Sequence, residues 1–539
     1  MDVIFFAIFM ALFAGVFSFI GYLGYKKTKT AEDYYVAGRK MGAIVIAFSY
    51  GATFISAVAL IGFSGISSIY GHSILWLAFL NIFVGILIAF IFYGFRTRKM
   101  GLSLQALTLP EILGNRFNSK RLQATSGLII GVFMVFYTTA VFLAISNLFE
   151  VTFGIPYWIC VVVFTSIVGI YLIVGGLYAV MWTHAIQGIL MVVGMLILTF
   201  GIYSMLGGLV PAHEAVAALT PEALANIGSP AATQAPNGLT SMPPVFSAPF
   251  MLLLTLVFGV GIGVLAQPQL IVRYLSAKSE KALRHAIPYG GIFILMMTFT
   301  AFSIGPLCNE LMVNAPQYNS LLTESLMYPT KLVGGVSVPN PDAVVPLIVN
   351  EFFPTWFVVI FLFAVLAAAM STASALFHTA GASIGRDVCE KGFMKKCTSK
   401  QSLKITRAAT LIIIFATLII SLNPPDVVAI LTSFFFGLMA CTFLAPYTLM
   451  LYWRKTSRSG AWAGMLGGFF FTMLWYGLIY FKTAPQIIGS SVTGNYLINM
   501  LDPIFIGLPL SFLLTILFSI LVTQDQEERK IMEKTFESV

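Results

Sequence analysis

The sequence has little charge. Only 9% of its 539 residues are Asp, Glu, Lys or Arg, while 58% are apolar and the mean hydropathy is +0.92. Soluble domains carry roughly a quarter charged residues, so a water-soluble globule is excluded. It also lacks any polar stretch long enough to form a separate soluble domain, because apolar runs recur from Val3 to Leu521. The first run, Val3 to Tyr25, has neither the basic start nor the small-residue cleavage site of a signal peptide, and it reads as a spanning helix. Five cysteines form no CxxC pair and no metal-ligand spacing, although Cys389 and Cys397 share one basic segment; packing is their expected role. Five histidines, at 72, 184, 213, 285 and 378, include no HExxH and adjoin no carboxylate pair, which disfavours a membrane-embedded enzyme. Acidic residues are missing from the centre of every apolar run. Glu111, Glu150, Glu310 and Asp387 fall at run ends or in loops, so a buried acidic proton relay is unsupported.

What is present is a succession of apolar runs of membrane-spanning length. A hydrocarbon core about 30 Å thick takes roughly 20 helical residues to cross. Every backbone polar group inside lipid must be satisfied within its own segment, so these runs predict an all-α membrane protein; short alternating strands of a barrel are absent. Thirteen spans are expected, near 3–25, 42–66, 73–95, 123–149, 156–177, 184–207, 249–272, 286–311, 354–383, 408–423, 427–452, 461–481 and 502–523. With the N-terminus outside and the C-terminus cytoplasmic, 28 of the 30 Lys and Arg residues fall in cytoplasmic segments, and only Lys331 and Lys482 do not. That bias predicts the orientation of a multi-pass protein of the cell (inner) membrane. It also places the formal charge of +9 in membrane loops, so the partner is the lipid bilayer and not nucleic acid. The segments 208–248 and 312–353 hold one Lys between them and are expected outside.

Glycine and proline interruptions inside spans are concentrated in two places. The second span reads Tyr50-Gly51-Ala52-Thr53-Phe54-Ile55-Ser56 and continues to Gly62 and Gly65; the seventh carries Gly259, Gly261 and Gly263 followed by Gln267-Pro268-Gln269. They lie five spans apart with opposite expected directions, the pattern of two inverted five-helix repeats whose broken helices meet at a binding site. Ordinary packing glycines are the alternative. The expected divisions are an N-terminal helix and loop (1–41), a first repeat (42–207), an outer loop (208–248), a second repeat (249–453) and two C-terminal helices with a tail (454–539). Without acids, a cation site would be built from carbonyls freed at a break and from hydroxyls. Ala367-Ala368-Ala369-Met370-Ser371-Thr372-Ala373-Ser374 in the ninth span supplies hydroxyls deep in an apolar helix, though such hydroxyls also bond back to their own helix. A channel would share the spans, but inverted repeats around an enclosed site fit alternating access better.

Several segments together resemble the sodium:solute symporter family. They are Asp33-Tyr34-Tyr35-Val36-Ala37-Gly38-Arg39, Thr108-Leu109-Pro110-Glu111 with Arg116-Phe117, Gly175-Gly176-Leu177-Tyr178-Ala179-Val180 with Thr183 and Gln187, Gln267-Pro268 with Arg273, and Met370-Ser371-Thr372. The resemblance implies a LeuT-like five-plus-five inverted repeat with one extra helix before it and two after. It implies a symporter using Na+ as coupling ion, with no organic cofactor. Sodium ligands carried over are the carbonyls of Ala52, Ile55 and Ala368 and the hydroxyls of Ser371 and Thr372.

The solute is read from the same region. Helix N-termini freed at a break suit an anionic group, which places a carboxylate near Thr53 and Ser56. Tyr137 aligns with a tyrosine that proline carriers of the family use, whereas Val260 and Val264 stand where those carriers show Trp and Tyr. Gln267 completes the expected solute set. With Phe54, Phe434 and Phe435, this lining is apolar and free of arginine, which favours a small carboxylate, a monocarboxylate or pantothenate-like acid, over proline or another amino acid. Where relatives with a second sodium site carry Asp in Thr-Asp-x-x-Gln, this chain has His184, and the matching ninth-span positions include Ser374 and Ala375. Two oxygens are lost there, so one sodium per solute is expected. His184 either packs at a cytoplasmic helix end or takes part in coupling as a proton carrier.

Overall fold

A computed structural model describes residues 3–333, 335–394, 397–423, 428–480 and 501–538. Lys395, Lys396 and Lys482, assigned to loops above, lie outside the described residues. Among the described residues the regular secondary structure is helical except for an antiparallel pair, β1 (Thr330–Val333) with β2 (Val336–Pro339), inside the segment 312–353. The principal helices are α1 (Val3–Lys27), α2 (Ala43–Phe54), α3 (58–70), α4 (75–103), α5 (Lys120–Phe153), α6 (Tyr157–Met205), α7 (Ala248–Gly263), α8 (Pro268–Ser276), α9 (Glu280–Val313), α10 (355–393), α11 (Ser399–Leu422), α12 (428–452), α13 (458–480) and α14 (Ile504–Leu521). A C-terminal helix, α15 (Gln526–Ser538), follows.

Among the described residues ten helices are long and apolar enough to cross a membrane, which does not fix the number of crossings at thirteen. The 49-residue α6 would extend roughly 70 Å if straight, more than twice the hydrocarbon thickness. Gly176, with φ 60° and ψ −170°, divides it where the second of the Gly175-Gly176 pair permits a left-handed conformation.

Burial grades the helices. The most apolar window of α10 is 94% buried, against 28% for α14 and 33% for α11 and α13. α10 packs on α5 and α6, while α2 and α3 pack on α9, and α13 and α14 chiefly on each other. The centre of the bundle is therefore α10 facing the broken α2–α3 helix, and α13 with α14 form an outer layer. Apolar burial does not drive helix association in lipid, so close van der Waals approach at small residues has to. A Cβ on Gly194 would lie 2.4 Å from the Ala364 Cβ, and one on Gly468 only 1.8 Å from the Cys441 carbonyl oxygen. Gly468→Leu is expected to pry α13 from α12 and to cost roughly 1–3 kcal/mol, as overpacking does. A thermal midpoint equal to wild type in detergent would contradict that contact.

Arg116 and Arg273, two of the 28 cations expected in cytoplasmic segments, are fully buried. For Arg116 the cause is a cover, since Phe536 on α15 lies over its guanidinium at 5.9 Å.

Candidate functional site

The site begins at a helix break. α2 ends at Phe54, the chain turns extended at Ile55 (φ −85°, ψ 98°), and helix resumes past Ser56. The Ser56 hydroxyl accepts from the Val58 N–H (3.1 Å) and so caps the new start. The i+4 partners of the Ala52 and Thr53 carbonyls lie beyond the break, leaving both oxygens to other donors. Two hydroxyls of α10 take them: Ser371 donates to the Ala52 carbonyl (2.7 Å) and Thr372 to that of Thr53 (3.1 Å). Ser371 Oγ also lies 2.9 Å from the Ala368 carbonyl of its own helix. Ala52, Ala368, Ser371 and Thr372 are thus brought together as neutral oxygens, all fully buried. Ile55 sits at the bend itself, its N–H bonded to Gly51 (2.7 Å). This donor set suits a hard monovalent cation, which takes hydroxyl and carbonyl oxygens and needs no carboxylate.

Beside the break lies a narrow cavity of about 20 Å³ whose walls include Ser56, Tyr137, Val260, Asn81 and Thr432, with Phe54, Phe63, Phe302 and Phe436. Free space of that size is about one water molecule's worth, so the helices must part before a solute enters. Of the expected solute set, Ser56, Tyr137 and Val260 line this cavity. Thr53, Val264 and Gln267 do not line the cavity. Thr53 points its hydroxyl to Arg273 (2.9 Å). Gln267 is taken up by the second break: its side-chain amide donates to the Gly263 carbonyl (3.0 Å), whose usual helical donor, the Gln267 backbone N–H, turns instead to the Val264 carbonyl (3.3 Å). The aromatic wall is made by Phe54, Phe63, Phe302 and Phe436, with Phe435 stacked behind Tyr137 at 5.3 Å. Asn81 and Thr432 were missed, because single polar residues in apolar runs carry no periodic signal.

His184 is also repositioned. It is fully buried in the bundle and not at a helix end, with Nε2 3.0 Å from the Ser374 hydroxyl and Nδ1 3.2 Å from both Ser49 and Thr53 hydroxyls. Arg273 completes this group through Ser49 (3.3 Å), Thr53 (2.9 Å) and the Gln269 carbonyl. No arginine lines the solute cavity, but a guanidinium is held beside it through Thr53. Proximity in three dimensions causes this: α8 starts at the second break and runs back along α2. Ala375, expected beside Ser374, is buried and offers no side-chain oxygen.

A family model described as "Sodium:solute symporter family" matches residues 34–468. The chain belongs to this family. It is a transporter and not an enzyme, and sodium-coupled symport is the family's activity. The chain is 26% identical over 459 residues to an osmoregulated proline transporter, OpuE, of Bacillus subtilis, covering 85% of each chain. It is 27% identical over 480 residues to the sodium/proline symporter of Salmonella typhimurium, covering 88% of each. Among solved structures, a Na+-coupled sialic acid symporter in a substrate-bound outward-open state superposes with a TM-score of 0.69 at 17% identity, over 94% of this chain and 96% of that one. The likeness shows a shared LeuT-like fold of inverted repeats.

In this sodium:solute symporter the Thr108-Leu109-Pro110-Glu111 segment has a physical purpose. Thr108 caps the short Leu109–Arg116 helix by accepting from the Glu111 N–H, and donates to Asp387 on α10 (2.9 Å). Glu111 receives a two-pronged bond from Arg386, at 3.0 and 2.8 Å. Glu390 lies 3.5 Å from the same arginine, and Gln123 on α5 also holds Asp387 (2.7 Å). This buried network ties α5, α10 and the capped helix at the end of the bundle expected in the cytoplasm.

Proposed function

We propose that this symporter imports proline or a closely related small amino acid with one sodium ion, by alternating access between two inverted repeats at 42–207 and 249–453. The observation that carries the reading is the break at Ile55–Ser56, which puts freed oxygens toward α10 on one side and Ser56 with Tyr137 on the solute cavity on the other. In this reading sodium is held by the carbonyls of Ala52, Ile55 and Ala368 and the hydroxyls of Ser371 and Thr372. The ion pins the broken helix to α10 and so favours the state that binds solute, and coupling is the resulting difference in solute affinity. The proline-carrying relatives support an amino acid over the small carboxylate first expected. Of the two valines that argued against proline, only Val260 faces the cavity; Val264 stands outside its lining. A small monocarboxylate is the second reading, because freed amides at the break suit a carboxylate with or without an amino group. The N-terminus is placed outside and the C-terminus in the cytoplasm by the distribution of Lys and Arg.

One sodium per solute is expected because the second position is occupied by other chemistry. His184 engages Ser374, and the Arg273 guanidinium lies 3.4 Å from the other ring nitrogen, so a further cation there would meet a fixed like charge. Proteoliposomes energised with sodium should accumulate labelled proline in preference to acetate, lactate or pyruvate, and reversal potentials should give a one-to-one ratio. Uptake of a monocarboxylate alone would select the second reading, and a ratio of two would reject the single site. His184→Asp with Ala375→Ser should then raise the ratio or the sodium cooperativity.

A further inference from the structure

Two histidines far apart in sequence meet on the side expected outside. His72 lies in the turn 71–74 that joins α3 to α4, and His213 in the short helix Leu209–Ala218 after α6. Their ring centroids are 4.8 Å apart with the planes inclined at 50°. Both residues are partly exposed, while the His72 Nε2 atom is itself buried. The His72 Nε2 atom has no hydrogen-bond partner, whereas His213 Nε2 is held by the Tyr203 hydroxyl at 3.0 Å, which leaves its Nδ1 as the free nitrogen. Burial lowers the His213 imidazole below its ordinary pKa, which favours the neutral form that carries a lone pair.

We propose that His72 and His213 form a binding site for a divalent transition metal, Zn2+ in the first instance, that inhibits transport by stapling the α3–α4 turn to the loop after α6. The geometry fits the ion. A Zn–N bond of about 2.0–2.1 Å puts an imidazole centroid about 3.2 Å from the metal, so two such rings at a tetrahedral angle have centroids about 5.2 Å apart. The observed 4.8 Å needs little adjustment. Tyr203 supplies the outer partner that fixes a ligating histidine by its second nitrogen. Among the described residues no third His, Cys, Asp or Glu joins the pair, so water fills the remaining positions. Inhibition follows from position. The turn is already bonded to the loop through the His72 N–H and the Leu239 carbonyl (2.7 Å), and α3 and α4 supply Phe63, Leu77 and Asn81 to the solute cavity. α3 and α4 form one part of that cavity's wall, and a metal cross-link to the loop opposes any opening in which they move.

Calorimetry on the full chain in nanodiscs should find one Zn2+ per chain, and Zn2+ added outside should slow sodium-driven uptake until a chelator is supplied. His72→Ala and His213→Ala should each raise the half-inhibiting concentration about tenfold or more, and Tyr203→Phe, which keeps the ring, by roughly tenfold. The His72 backbone bond does not depend on its side chain, so the variant keeps its turn. Unchanged Zn2+ affinity in the double variant overturns the site. Binding lost in that variant without any effect of Zn2+ on wild-type uptake overturns the inhibitory staple. The calorimetric arm does not depend on which solute is carried.

Discussion

Ser371→Ala and Thr372→Ala are each expected to raise the sodium concentration for half-maximal uptake by about tenfold or more, with the helices intact. Each hydroxyl now donates to a carbonyl freed at the break, at 2.7 and 3.1 Å. An oxygen lost from a charged partner costs about 1.5–3 kcal/mol, which is one to two decades in affinity. Folding should suffer less, because a neutral bond contributes only about 1 kcal/mol net. α10 also keeps its extensive packing on α5 and α6. Ser371→Thr or Thr372→Ser, retaining the oxygen, should recover most of the sodium affinity. The measurement is the sodium dependence of initial uptake, read beside a thermal midpoint. Half-saturation unchanged in both alanine variants would remove these residues from the proposed site.

Arg386→Ala is expected to have the largest effect on stability. Arg386 and Glu111 have side chains 9% and 4% exposed and are joined by two bonds, with Glu390 also at hand. Removing one partner of a buried pair leaves the other charge without compensation and costs about 3–5 kcal/mol. Here the loss strands Glu111 and Glu390 with Lys391, which lies at 3.9 and 3.8 Å and is more exposed. Arg386→Lys should be only a partial rescue, since an ammonium cannot reproduce the planar two-pronged contact. Arg386→Met with Glu111→Gln, which removes both charges, should recover much of the loss. A double variant no better than Arg386→Ala would show that packing, and not the stranded carboxylate, sets the cost. Yield of monodisperse protein and the thermal midpoint report it.

The break and a run of hydroxyls in the ninth span were legible from local rules, while the carbonyls of Ala52, Ile55 and Ala368 were carried over from the family resemblance. A Gly-Ala-Thr-Phe-Ile-Ser run inside an apolar span marks a break, a break frees carbonyls at known offsets, and Ser371-Thr372 was the hydroxyl pair set deep in an apolar helix. The solute set was only half legible. Ser56, Tyr137 and Val260 reach the cavity, while Thr53 and Gln267 were diverted to Arg273 and to the Gly263 carbonyl. A side chain near a break has several partners to choose from, and spacing does not rank them.

Hydropathy and composition by themselves determined that the chain is an α-helical membrane protein, because lipid offers the backbone no other partner. The placement of glycine and proline marked the helices that break, and the family resemblance pointed to the helix that faces the break. Only the tertiary structure decided where the isolated charges and imidazoles reside. Arg273 reads as one more cytoplasmic cation and is buried beside His184, and His72 meets His213 across 141 positions of sequence. The physical reason is range. Periodicity and backbone bonding act over a few residues, whereas the environment of a charge is set by whichever helices pack around it, and that depends on the whole bundle.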